Sequence, residues 1–143
     1  MRIRKATLRD YSKLVTLDWP ARSSRDRNRR LRRAISEGDA YVVADHDRLV
    51  AYGVLTRSFF QRPFIETLQV AQKERRKGYG SRLLARMEAG GLRHGEVWAS
   101  TNRSNSAMRA LLKKRGFILT GRVSRLDRGD VELFYCKKSR NDD

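Results

Sequence analysis

Leu68-Gln69-Val70-Ala71-Gln72-Lys73-Glu74-Arg75-Arg76-Lys77-Gly78-Tyr79-Gly80-Ser81-Arg82-Leu83-Leu84 is an apolar strand end, then a basic turn, then the start of an amphipathic helix. Within it, Arg75, Gly78 and Gly80 stand in the spacing Arg-x-x-Gly-x-Gly. Glycines let the backbone approach a ligand closely. The unpaired N–H groups of a first helical turn, with the helix dipole, favour a phosphate there. Arg75, Arg76 and Lys77 add fixed positive charge. The stretch therefore reads as an anion cradle between a strand and a helix.

Working outward, the segment before the cradle, Phe64 to Val70, is strongly apolar and reads as a central strand. A hairpin precedes it: Ala40–Ala44, a turn at Asp45 to Arg48, then Leu49–Leu55. Phe59 to Pro63 reads as a loop. Arg2–Ala6 reads as a short first strand. Thr7 or Asp10 opens a helix with Leu8, Tyr11, Leu14 and Val15 on one side, stopped by Trp19-Pro20. Ser23-Ser24 caps a second helix whose only apolar stripe is Leu31, Ala34 and Ile35. Behind the cradle, a helix carrying Tyr79, Leu83, Leu84 and Met87 is expected to end at Gly90-Gly91. Glu96–Ser100 is a strand, and Ser104 or Asn105 caps a helix with Met108, Leu111 and Leu112 buried. Gly116 closes that helix, after the cations Lys113, Lys114 and Arg115. Phe117–Val123 and Val131–Cys136 form a last hairpin around a turn at Asp127 to Asp130, and a polar tail (138–143) follows. The order βααβββαβαββ gives a single α/β (α+β) domain over 1–143. Its central sheet is expected to be mixed and mostly antiparallel, with helices on both faces.

The 143 residues suffice for one packed core. One cysteine, Cys136, excludes an internal disulfide, and no Cys/His group has metal-ligand spacing. No apolar run approaches a membrane span or a signal h-region, so a cytoplasmic protein without a membrane partner is expected. The charge is extreme: 33 Lys+Arg against 16 Asp+Glu, a net +17. Seven arginines fall between Arg22 and Arg33. Such a surface attracts nucleic acid or acidic small molecules, or it is a solvated helix face in an arginine-rich composition. Charge alone does not choose.

The glycine turn is not a Walker loop, because no Gly-Lys-Ser/Thr follows in frame. It is not a dinucleotide fingerprint either, because Leu83 stands where the third glycine belongs. Val70 followed by Arg75-Arg76-Lys77-Gly78-Tyr79-Gly80 resembles the acetyl-CoA motif of the GNAT superfamily of N-acetyltransferases. A separate match lies at Asn105 to Phe117, an asparagine-opened helix ending in Gly-Phe, and Gly129 to Tyr135 resembles the final strand of small members. The resemblance implies a GNAT-like fold and acetyl-CoA as cosubstrate. It implies that Leu68, Gln69 and Val70 pair with the pantetheine arm like an added strand. It implies that the amides of Arg76, Lys77, Gly78, Tyr79, Gly80 and Ser81, with Arg75 beside them, hold the pyrophosphate. Asn105 would hydrogen-bond the pantetheine arm, or act only as a helix cap, and Lys114 or nearby basic groups would meet the 3′-phosphate.

The implied chemistry is acetyl transfer from a thioester to an amine, which attacks only when deprotonated. A backbone N–H near Val70 is the implied oxyanion donor. Glu66, on the central strand, is the first candidate base and Glu132 the second; His46 and His94 read as solvent-facing. Many relatives carry a tyrosine acid where this chain has Leu112, which leaves Tyr135 or water to protonate the thiolate. The ring of Tyr79 reads as core, and Trp19, Phe59 and Phe60 fall in loops that build the acceptor pocket in relatives. The acceptor is an amine, acidic or nucleic-acid-linked if the arginine run faces it, and a homodimer is compatible with this reading. The rivals are a basic nucleic-acid-binding module and a family member that binds CoA without turnover.

Overall fold

The computed structural model describes residues 1–17 and 24–139. Trp19, Pro20, Arg22 and Ser23 and the tail beyond residue 139 lie outside the described residues. Seven strands form one sheet: β1 (Arg2–Lys5), β2 (Ala40–Asp45), β3 (Arg48–Phe59), β4 (Arg62–Val70), β5 (Glu96–Asn102), β6 (Ile118–Asp127) and β7 (Asp130–Lys138). Their spatial order is β1-β2-β3-β4-β5-β7-β6. Every neighbouring pair is antiparallel except β4 and β5. The described helices are α1 (Tyr11–Leu17), α2 (Arg25–Ser36), α3 (Tyr79–Leu92) and α4 (Ser106–Lys114). The element order is the one read from the sequence.

Strand alternation sorts the core onto two faces. Tyr41 and Val43 point to one side with Ile65 and Val97, where Leu83, Leu84 and Met87 of α3 and Leu112 of α4 cover them. Ala40 and Val42 point to the other, where Leu14 of α1 and Leu31, Ala34 and Ile35 of α2 cover them. The only apolar stripe of the arginine-rich α2 is thus the one it buries. Asp10 ties β1 to the start of the first helix: its carboxylate accepts from the Thr7 N–H and from Arg4 Nη1, both at 2.8 Å.

Three boundaries differ from expectation. The α3 helix does not stop at Gly90-Gly91 but runs to Leu92. Gly91 lies within it because a Cβ there would stand 2.6 Å from Val97 Cβ, so the glycine admits β5 rather than ending the helix. The 59–63 loop is also shorter than expected. β3 continues through Phe59 and the chain reverses on Phe60 and Gln61, both at positive φ (53° and 64°). Finally, Lys138 belongs to β7, paired with Glu96 as Lys137 is with Val97, rather than to the polar tail.

Glu88 of α3 is buried to 3% exposure and is held by two cations. Arg115 Nε donates to its Oε2 at 3.0 Å and Lys137 Nζ donates to its Oε1. Lys137 also donates to the Arg115 carbonyl at 2.7 Å. One carboxylate therefore joins α3, the end of α4 and β7. Glu88→Gln strands both cations. Their side chains keep 35% and 26% exposure. The expected loss is roughly 2 kcal/mol, below the about 3–5 kcal/mol of a fully buried pair. Urea denaturation measures it; a change under about 0.5 kcal/mol, the range of ordinary surface substitutions, would show that the triad contributes nothing.

Candidate active site

The site begins where two strands part. β4 and β5 pair only at Phe64↔Trp98 and Ile65↔Ala99. Beyond that point β4 stays with β3 as far as Val70, while β5 stays with β7 as far as Asn102. The β5-facing backbone edge of Leu68 to Val70 is left without a ladder partner. A bulge adds to the divergence: Val54 pairs with Thr67 but Leu55 pairs with Ile65, so Glu66 is the extra residue on β4.

The cradle lies at the outer end of this opening. Arg76 (φ 66°) and Gly78 (φ 86°) both take left-handed backbone. Such reversals turn successive N–H groups toward one concavity. The first amides of α3 follow, without intrahelical acceptors. Gly80 brings this turn against β4: a Cβ there would stand 3.3 Å from Val70 Cγ2. Below the turn sits buried Glu74, which accepts from Arg48 Nη1 at 2.5 Å and Lys77 Nζ at 3.0 Å. The Lys77 and Arg48 bonds hold its carboxyl below the usual carboxylate range. They also brace the turn from beneath. Arg75 Nε reaches the Val70 carbonyl at 3.4 Å.

A cleft of ≈ 640 Å³ runs from this cradle along β4 to the start of α4. Leu68, Gln69, Val70, Arg75, Arg76, Gly78, Tyr79, Gly80, Ser81 and Asn105 line it, with Met108 and Leu111 on the α4 side. Lys77 and Lys114 do not. Lys77 is committed to Glu74, and Lys114 is in the last turn of α4, three residues beyond Leu111. Asn105 caps α4, accepting from the Met108 N–H at 3.1 Å. The Tyr79 ring packs against the core and its hydroxyl donates to Asp45 Oδ2 at 2.8 Å.

On the other face of the sheet, a cavity of ≈ 300 Å³ opens beside the same strands. α2 contributes Arg27, Arg30, Leu31 and Ala34; β4 contributes Glu66; the β5–β7–β6 side contributes Ser100, Asn102, Glu132 and Asp127. Leu68, Asn105 and Met108 line both spaces, so cleft and cavity meet there. Glu132 Oε2 accepts from Ser100 Oγ at 2.8 Å, while its Oε1 is buried with no hydrogen-bond partner. Burial raises the Glu132 pKa, the Ser100 bond partly opposes this, and Asp127 and Asp130 add to the rise. Glu66 lines the same cavity but is exposed.

The other expected residues fall elsewhere. Tyr135 is 6% exposed in the core beneath α3 and α4 and lines neither space. Its side chain follows the pleat away from its neighbour Phe134. Leu112 is fully buried in the same core. Phe59 and Phe60 do not reach the cavity. They stand at the β3–β4 turn, where Phe59 stacks on Phe64 and Phe134 at 5.2 and 5.5 Å between ring centroids. His46 is on the β2–β3 turn with 93% of its side chain exposed. Ser100, Asn102 and Asp127 were not singled out from the sequence. Their only signal is the β5–β7–β6 pairing that brings them beside Glu132. Glu74 was missed too, although its spacing of three from Lys77 is that of a local ion pair.

A crystal structure of a GNAT-family acetyltransferase from Bacillus cereus superposes with a TM-score of 0.87 at 28% identity over 96% of both chains. The ribosomal-protein-alanine N-acetyltransferase of Brucella melitensis superposes at 0.78 with 23% identity, over 97% of this chain and 100% of that one. An aminoglycoside 6′-N-acetyltransferase solved with coenzyme A gives 0.78 at 14% identity, over 96% and 97% of the two chains. The last two are similar in fold alone. No curated protein matches in sequence. No helix among the described residues is long and apolar enough to cross a membrane. The sequence model of the acetyltransferase (GNAT) family matches residues 5–117, from the end of β1 through the parted strands, the cradle and α4, and the chain belongs to that family.

Proposed function

We propose that this acetyltransferase moves the acetyl group of acetyl-CoA onto an amine bound in the cavity beside Glu132, by direct attack on the thioester. The observation that carries the reading is the meeting of cleft and cavity at Leu68, Asn105 and Met108. An elongated phosphate-bearing cosubstrate on one side of the sheet and an acceptor on the other would bring their reacting ends together at that junction.

Acetyl-CoA supplies an activated acetyl group. The chain's part is to hold, orient and move a proton. The open edge of Leu68 to Val70 offers N–H and C=O groups to the pantetheine amides, as an added strand would. The amides of Arg76 to Ser81 and the Arg75 guanidinium take the pyrophosphate. Asn105 stands close enough to both spaces to contact the arm while capping α4. An N–H on the same edge of β4, near Val70, is the donor for the developing oxyanion. Glu132 takes the proton from the amine: its raised pKa makes it a stronger base than an ordinary carboxylate, and its free Oε1 has the lone pair to do so. Glu66, exposed on its bulge, attracts the ammonium form of the acceptor rather than serving as the base. As nitrogen bonds to the acyl carbon, the carbon–sulfur bond breaks and the thiolate departs. Leu112 and Tyr135 are both buried in the core, so the thiolate takes its proton from solvent.

Two measurements test this. Gly78→Asp places a carboxylate at the cradle, at a left-handed position with nothing within 4 Å of a Cβ. Acetyl-CoA binding by calorimetry is expected to weaken at least tenfold, about 1.4 kcal/mol. An unchanged Kd would remove the cradle as the phosphate site. Glu132→Gln is expected to lower kcat about a hundredfold, the lower end of general-base contributions. The wild-type rate should rise with pH through the raised Glu132 pKa, and the variant should lose that limb while keeping its acetyl-CoA affinity. A pH profile identical to wild type would exclude Glu132 as the base.

A further inference from the structure

The acceptor cavity holds charges of both signs that do not pair with each other. On the α2 wall, the guanidinium groups of Arg27 and Arg30 have no ion-pair or hydrogen-bond partner among the described residues. On the same helix Arg33 bonds Glu37 at 2.9 Å and Arg32 lies over the Tyr11 ring at 5.5 Å, while Arg25 and Arg29 are as exposed as Arg27 and Arg30; what sets Arg27 and Arg30 apart is that they line the cavity. Across the cavity, Glu66 likewise has no partner among the described residues, and the buried Oε1 of Glu132 has none. No lining guanidinium comes within ion-pair distance of a lining carboxylate. Asp127, the third carboxylate, is engaged by Asn102 Nδ2 at 2.9 Å.

We infer that the acceptor is a small zwitterionic amine, with its ammonium nitrogen at Glu132 and Glu66 and a carboxylate or phosphate at Arg27 and Arg30. The inference rests on the acetyl-transfer reading above and adds the substrate class. Opposed unpaired charges across one cavity are satisfied together by a molecule bearing both complements. A plain amine leaves the guanidinium groups without a counter-charge, and a cationic amine adds repulsion to them. Arg27 and Arg30 are three apart, so both project from one side of α2 toward the same region. A pair of guanidinium groups suits a planar carboxylate or a phosphate equally. At ≈ 300 Å³ the cavity is at the small end of small-molecule sites, which favours a compact acceptor.

The test is a thiol-release assay with acetyl-CoA on paired acceptors: β-alanine and β-alaninamide, ε-aminocaproate and ε-aminocaproamide, glutamate and glutamine, phosphoethanolamine and ethanolamine. In at least one pair the anionic member is expected to show at least a tenfold higher kcat/KM, through KM. Which pair responds separates carboxylate from phosphate. In Arg27→Ala/Arg30→Ala the anionic-to-neutral ratio should fall toward one, while acetyl-CoA affinity is retained. Arg25→Ala/Arg29→Ala removes the same charge from positions equally exposed that do not line the cavity, and it should keep the ratio. Neutral members turned over as well as their anionic partners would overturn the substrate class and leave acetyl transfer standing. Equal loss of the ratio in both double variants would also overturn it, because long-range attraction by the basic surface would then explain the preference. No turnover of any amine, together with no acetyl-CoA binding, would overturn both readings.

Discussion

The site depends on two strands ceasing to pair. A continuous β4–β5 ladder would close the sheet and satisfy every backbone group along it. Here the ladder has two residue pairs, and then β4 follows β3 while β5 follows β7. The unpaired edge from Leu68 to Val70 has N–H and C=O groups that need partners, and a ligand rich in amides can supply them. The bulge at Glu66 sits just where the strands begin to diverge. The N-terminal ends of α3 and α4 flank the same opening, so it receives helix-terminal N–H groups, an anion cradle and a capping asparagine together. The cleft, the cavity and their junction all follow from that divergence.

Two treatments of charge coexist in the molecule. Where a charge holds the fold, it is paired: Glu88 with Arg115 and Lys137, Glu74 with Arg48 and Lys77, Asp10 with Arg4. Each of these carboxylates is nearly buried and joins elements distant in sequence or braces a turn. In the cavity, by contrast, charges face a shared space without closing on one another. Burying a polar atom without a partner is unfavourable, so unpaired Glu132 Oε1 marks a region built for something other than packing, and the exposed Arg27 and Arg30 stand at its edge. The net +17 is therefore not one property. Part of it neutralises buried carboxylates, part is solvated helix surface, and the Arg27–Arg30 pair lines the cavity beside Glu132.

The cleft was legible because most of it is made of neighbours in sequence. Cradle, strand end and helix start lie within residues 68–84, and ten of the twelve residues expected to contact the cosubstrate line one cleft. The two exceptions are instructive. Lys77 follows the cradle motif yet is drawn to Glu74, and Lys114, in the last turn of α4, does not line the cleft. Gly90-Gly91 shows the same limit: as letters they end a helix, and only the proximity of Val97 shows that a helix continues through them.

The chain's letters determined the element order, the single domain, the family resemblance and the place of the glycine turn at the start of α3. Those properties reside in local periodicity, turn chemistry and motifs a few residues long. The tertiary structure decided the cavity beside Glu132. Glu132 and Ser100 lie on different strands, and β5–β7 pairing alone brings them to 2.8 Å. Glu66 and Glu132 are both acidic residues on strands, equivalent as letters. Bulge and burial separated them, leaving one in water and raising the pKa of the other. Tyr135 is one residue from Phe134 and three from Glu132, yet the pleat turns it into the opposite core. Side-chain direction in a sheet, and the burial that shifts a carboxyl pKa, depend on which strands meet; that is a property of long-range pairing, which no short stretch of this chain encodes by itself.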